Sequence, residues 1–182
     1  MDRRSFLSSL AAAPAFAQPP RAKPVLCIFS KHMAQFGWDE LGAQARKLGF
    51  AGVDLTVRPK GHVLPERVAE DLPRAVDAIR KHGLAVPMIT TDLKDASDPA
   101  ARPTFAAMRK LGIRLYKPGY WRYEKGVPAE QTLRECRRKL EGLLALGREY
   151  GVTAGLHNHS GAYVGCAVWD YRELLSGVKA EE

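Results

Sequence analysis

The sequence predicts a parallel α/β fold: a (β/α)8 barrel of the TIM type, truncated after its fifth βα unit. Three observations carry that expectation. Short apolar or alternating runs begin near residues 25, 52, 85, 113 and 153, each followed by a stretch with helical spacing, and no two successive runs are joined by a hairpin turn. The steps between runs, roughly 27 to 40 residues, have the size of a βα unit. The first run is followed by Ser30-Lys31-His32-Met33, where a doubly wound nucleotide-binding sheet would carry its glycine-rich turn. A whole barrel takes about 250 residues, and this chain has 182. A five-stranded doubly wound sheet is the alternative architecture.

Each element has its own signature. Residues 25–29 are a short apolar run read as a strand, and 39–48 place apolar residues at helical spacing before Gly49, suited to a left-handed cap. Residues 52–57 alternate Val53, Leu55 and Val57 with Asp54 and Thr56, a period of two. Pro65 opens a helical stretch running to Gly83, in which Pro73 is expected to mark a break between two pieces. Residues 85–91 form the third strand and 104–111 the next helix, closed by Gly112. Residues 113–117 are the fourth strand, 129–150 the longest helix, 153–159 the fifth strand and 169–175 the start of another helix.

Composition bounds the function. With 46% hydrophobic and 26% charged residues the chain is an ordinary globular domain, and its net charge of +8 is scattered rather than gathered on one face, which argues against a nucleic-acid partner. The basic set between Arg134 and Arg148 reads as the wet side of a helix that buries Leu133, Leu140, Leu143 and Leu144. Three widely spaced cysteines, Cys27, Cys136 and Cys166, specify neither a zinc knuckle nor a disulfide framework.

The amino terminus reads as an address. Arg3-Arg4-Ser5-Phe6-Leu7 precedes a small-residue and apolar run to Ala17, and Ala15-Phe16-Ala17 has the small-x-small form of a cleavage site. The run is too short for a permanent membrane anchor. It resembles a twin-arginine export signal. Residues 1–17 are therefore expected to be a signal peptide, 18–24 a linker and 25–182 the partial barrel, in a periplasmic or secreted protein.

Polar residues collect at the carboxyl ends of the strands, where parallel α/β folds bind ligands. Ser30 and His32 follow the first strand; Asp54 and Thr56 lie on the second, with His62 and Glu66 in the loop beyond. Thr90, Thr91 and Asp92 end the third, Lys117, Tyr120 and Trp121 the fourth, and His157-Asn158-His159 the fifth. Alternation puts His157 and His159 on one face with Thr153 and Gly155. Two neutral imidazoles so placed suit Zn, Mn, Fe or Co, a divalent metal (Mn, Zn, Mg or Co) being the expected cofactor, and equally suit a metal-free polar cluster that binds substrate hydroxyls. Trp121 sits at a strand end, where an indole stacks on a sugar face, while Trp38 and Trp169 read as packing residues.

Gly52-Val53-Asp54-Leu55, the segment Gly61-His62-Val63-Leu64-Pro65-Glu66 and His157-Asn158-His159-Ser160-Gly161 together resemble the xylose-isomerase-like TIM-barrel family of sugar phosphate isomerases and epimerases. The resemblance implies a metal-assisted proton transfer on a small-molecule carbohydrate. His157 and His159 would then be catalytic and metal-binding, with His32, Asp54, His62, Lys117, Trp121 and Asn158 contacting substrate. Many members have Glu at the position of His157, and their other ligands come from strands six to eight. The resemblance therefore leaves open a carbohydrate-binding barrel without turnover, or a lyase acting on oxidised sugars, and implies that a five-unit chain is inactive alone.

Overall fold

The computed structural model describes residues 24–179. The expected signal peptide, 1–17, and nearly all of the linker lie outside the described residues. Five βα units follow one another: β1 (Cys27–Phe29) and α1 (Trp38–Lys47), β2 (Gly52–Val57) and α2 (Val68–Lys81), β3 (Ala85–Thr91) and α3 (Ala101–Leu111), β4 (Leu115–Lys117) and α4 (Ala129–Tyr150), β5 (Thr153–Ala154) and α5 (Val168–Leu174). All strand pairs are parallel, and the spatial order is the chain order, β1-β2-β3-β4-β5. A doubly wound sheet reverses its strand order at a switch point, and no reversal occurs here. The order is that of a barrel wall, which decides between the two architectures.

The core lies between this wall and the helices outside it. Val53 and Leu55 of β2 and Ile89 of β3 are fully buried, against Leu41 of α1, Leu72, Ala75, Val76 and Ile79 of α2, and Phe105 and Met108 of α3. The helical spacing of these residues is the reason α1 to α4 form apolar stripes facing the sheet. Gly112 and Gly151 follow α3 and α4 with φ of 72° and 69°, the left-handed conformation that ends a helix and that glycine adopts without steric cost.

Three expectations are corrected. Pro73 does not split the second helical stretch: a 3-10 turn at Pro65–Arg67 leads into an unbroken α2. Pro73 removes one hydrogen bond, to the carbonyl of Ala69, but Ala69 is exposed and water can serve that carbonyl, while Leu72, Ala75, Val76 and Ile79 anchor the helix on both sides. The fifth strand is shorter than expected, two residues instead of seven. Its ladder with β4 pairs Leu115 with Thr153 and Tyr116 with Ala154, Gly155 N–H reaches the Tyr116 carbonyl at 2.8 Å, and Pro118 then offers no N–H to continue. Residues 155–159 are consequently a loop. Trp169, read as a packing residue, is 71% exposed.

Candidate active site

All five strands, or the loops that leave them, open onto a cleft of about 570 Å3 on the concave side of the sheet. Phe29 comes from β1, Asp54 from β2, Met88 and Thr90 from β3 and Lys117 from β4; Lys31, Arg58, Tyr120, His157 and His159 follow the strands. Pairing explains the convergence. Register sets Asp54 beside Phe29 and Met88, and Thr90 beside Thr56 and Lys117, so alternate residues of neighbouring strands share the concave face.

Asp54 is the carboxylate of this cleft. The Thr90 hydroxyl donates to it, 2.9 Å from Oδ1 and 3.0 Å from Oδ2. Burial raises its pKa to about 6, against the opposing pull of the Thr90 hydrogen bond and of Lys117 and Arg58. Lys117 is only 6% exposed. Burial lowers its pKa to about 8, with Asp92 working the other way and Arg58 adding to the fall. Its Nζ stands 3.3 Å from the centre of the Tyr120 ring, a cation–π contact that partly replaces lost hydration. One acid and one base are thus tuned to either side of neutral pH and face the same cavity.

Lys117 and Tyr120 are held in place by the connection between them. Gly119 N–H donates to the Leu93 carbonyl at 2.7 Å, and a Cβ at Gly119 would lie 2.6 Å from the Asp92 oxygen, so the backbones meet more closely than any side chain allows. Tyr120 then reaches the fifth-strand loop, its hydroxyl 3.0 Å from His157 Nδ1 and its ring edge-on to His159 at 5.1 Å. Tyr163 closes the group, 4.6 Å from the His159 ring. An antiparallel bridge between Arg122 and Tyr163 folds this loop back onto the one after β4.

The other expected site residues divide. His157 and His159 line the cleft although they lie beyond the strand, and both are exposed. Asn158 is exposed between them and is not part of the lining. Trp121 is buried, its indole N–H donating to the Lys94 carbonyl at 3.2 Å, so it packs beneath the cleft loops instead of presenting a stacking face. His32 is exposed on the turn after β1, edge-on to Phe29, and is not part of the cleft lining. His62 belongs to a neighbouring cavity: its Nδ1 lies 3.1 Å from Thr56 Oγ1, and its backbone N–H donates to the same hydroxyl at 3.0 Å. Burial lowers the His62 pKa, opposed by the nearby carbonyls of Met33 and Phe36, although Nε2 closes a hydrogen bond to neither. Lys31 and Arg58 were not singled out by sequence. Their signal was position alone, each within two residues of a strand's carboxyl end.

The two histidines fit part of a metal shell. His159 Nδ1 lies 2.8 Å from the Ser160 carbonyl, which takes the ring proton there and leaves Nε2 with its lone pair free to coordinate. Among the described residues, however, no three His, Cys, Asp or Glu side chains come together to hold an ion. Nor is any described helix long and apolar enough to cross a membrane.

A family model described as the xylose isomerase-like TIM barrel matches residues 43–182. No curated protein sequence matches the chain. Among solved structures the fold is similar to a D-tagatose 3-epimerase-like protein, with 13% identity over 86% of this chain and 62% of that one and a TM-score of 0.62. It is similar to a xylose isomerase-like TIM barrel protein from Mycobacterium smegmatis in complex with magnesium, at 16% identity, 85% and 61% coverage and a TM-score of 0.61. It is also similar to 3-keto-D-glucoside 4-epimerase from E. coli, at 13% identity, 78% and 59% coverage and a TM-score of 0.59. The chain spans about three fifths of the length of these structures. With three quarters of its residues matched by the family model and its strands in barrel order, the chain belongs to the xylose isomerase-like TIM barrel family.

Proposed function

We propose that the cleft binds a carbohydrate and that the protein moves a proton between neighbouring carbons of it, as a sugar isomerase or epimerase. The observation that carries this reading is the pairing of Asp54, at about 6, with Lys117, at about 8, in one open cavity. A general base works best with a pKa just below the operating pH, and its acid partner just above. Asp54, ionised and oriented by Thr90, removes the proton beside a sugar carbonyl. Lys117, protonated and braced by the Tyr120 ring, faces the oxygen on which negative charge develops. The epimerases among the similar structures support the reaction class.

A divalent ion belongs to the proposal, supported by the magnesium complex among those structures. His157 and His159 would hold it from one side, and when bound it would polarise a substrate carbonyl or hydroxyl. Replacing both histidines with Ala is expected to abolish divalent metal retention on dialysis, read by elemental analysis. Equal metal in variant and parent would remove them from any coordination shell. The reading also places the protein in the periplasm, on the strength of the arginine pair and apolar run at its amino terminus.

The second reading is a binding barrel without turnover, favoured by His157 standing where the family resemblance leads one to expect Glu. Deuterium incorporation separates the two. With a bound ketose in deuterated water, an isomerase or epimerase introduces deuterium at the carbon next to the carbonyl, seen by NMR or mass spectrometry. Saturable binding with no incorporation would establish the second reading instead.

A further inference from the structure

Lys117 is the one buried lysine among the described residues. Burying an ammonium is costly unless a carboxylate or another acceptor meets it. Neither does here: among the described residues Lys117 Nζ takes part in no ion pair and no hydrogen bond, and what meets it is the face of the Tyr120 ring. Two other lysines show the contrast. Lys94 pairs with Asp92 at 3.5 Å, and Lys31, which also lines the cleft, is exposed.

The surroundings suit a neutral amine. Phe29, Met88 and Leu156 share the cleft lining with Lys117 and give it apolar walls. Burial holds the lysine down to about 8, and the charge of Arg58 adds to the fall. An amine in an apolar pocket, next to a second cation, is the arrangement that makes lysine a nucleophile toward a carbonyl carbon. Register supplies an independent observation. Lys117 is paired with Thr90, and the Thr90 hydroxyl donates to Asp54, so the amine and the carboxylate flank one residue of β3. Two strand spacings, about 10 Å, separate their backbones. The long lysine side chain, a carbonyl carbon and the carbon next to it fill that gap.

We propose that Lys117 condenses with the carbonyl of an open-chain ketose, and that the resulting iminium is the species from which Asp54 takes a proton. The inference rests on the proton-transfer reading for the part of Asp54, and adds that the substrate is held covalently through a free carbonyl. The neutral Nζ attacks the carbonyl carbon, and the N–C bond forms as the carbonyl π pair moves to oxygen, which takes a proton from the nitrogen. The oxygen takes a second proton, the one Lys117 gave up on becoming neutral, and leaves as water. Asp54 then removes the proton from the adjacent carbon; the C–H pair becomes a C=C bond and the C=N pair returns to nitrogen, giving an enamine. Return of a proton to either face of that carbon, followed by addition of water, frees the amine and releases a ketose. An iminium carries the charge of the ammonium it replaces, so ionised Asp54 and charged Lys117 remain the resting states.

The fate of the carbonyl oxygen tests this, because condensation expels it and hydrolysis returns one from solvent. The full chain is incubated with dihydroxyacetone or D-fructose in deuterated water that carries heavy oxygen. Ketose that gains deuterium is expected to gain heavy oxygen at its carbonyl carbon, faster than in an enzyme-free control. Deuterium gained with the carbonyl oxygen retained would overturn the iminium and spare the isomerase reading. Sodium cyanoborohydride, added to the same mixture in ordinary water, is expected to fix an adduct on the peptide that contains Lys117, with a mass gain of one ketose less one oxygen atom. Adducts confined to exposed lysines, or none with either ketose, would overturn the proposal. A Lys117 adduct with oxygen exchange but no deuterium would establish the covalent site and overturn the isomerase reading. Lys117→Arg keeps the positive charge and forms no imine. It is expected to give no adduct there and to lower deuterium exchange by about 10²-fold or more, with Tm near that of the parent. Exchange at the parental rate in this variant would show that charge alone suffices, and would overturn the iminium.

Discussion

Asp54→Asn is expected to lower proton exchange into substrate by about 10²- to 10⁴-fold, the usual contribution of a positioned general base. The substitution keeps an oxygen to accept from the Thr90 hydroxyl, so the loss would be of the base and not of the hydrogen bond. The parent is expected to show a bell-shaped pH profile of kcat/KM, with its acid limb near 6 from Asp54 and its alkaline limb near 8 from Lys117. Lys117→Met should remove the alkaline limb. A profile flat from pH 5 to 9 would exclude both groups from the chemistry. Stability gives an independent check, with its sign set by linkage. A carboxyl raised in the folded state contributes stability that is complete below its unfolded value near 3.8 and is lost as pH rises through about 6. The Asn variant, which has no such charge to bury, should therefore melt higher than the parent above pH 6, and the advantage should fade by pH 4.

Phe105→Ala should destabilise the fold by about 3–5 kcal/mol, the range for truncating a buried aromatic. Phe105 is fully buried on α3, 4.7 Å from the Tyr116 ring of β4 and 6.3 Å from Tyr150 at the end of α4. It thus joins three consecutive elements, and the cavity left by its loss cannot be filled by one neighbour moving. Chemical denaturation measures the effect, as a fall in midpoint with little change in slope. A loss under about 1 kcal/mol would mean that Tyr116 and Tyr150 collapse into the space.

Much of the fold was legible because its signals are local. The alternation in 52–57 and the glycines after 48, 111 and 150 report on residues next to them, and β2 and the end caps fall where they indicate. Pro73 misled because the cost of a proline depends on what anchors the helix around it, and those anchors are tertiary. The end of β5 is set by Pro118, the residue just past the neighbouring strand β4, invisible from residues 153–159 themselves. The site divides in the same way. Asp54 and Lys117 are strand residues, and register alone carries both to the face that lines the cleft. Trp121 lies four residues past β4, where the direction of a side chain follows from loop packing, and it turns under the surface.

The unreversed strand order also bears on how the chain folds. Among the described residues every ladder joins strands adjacent in sequence, so none of these pairings waits for a distant segment to arrive, and loop-closure entropy stays modest at each step. Each βα unit can dock on the one before it as it leaves the ribosome, and the pace of assembly is set by the synthesis of the next unit. In kinetic terms, each unit that docks shortens the time for which the apolar face of the unit before it stays open to the wrong partner.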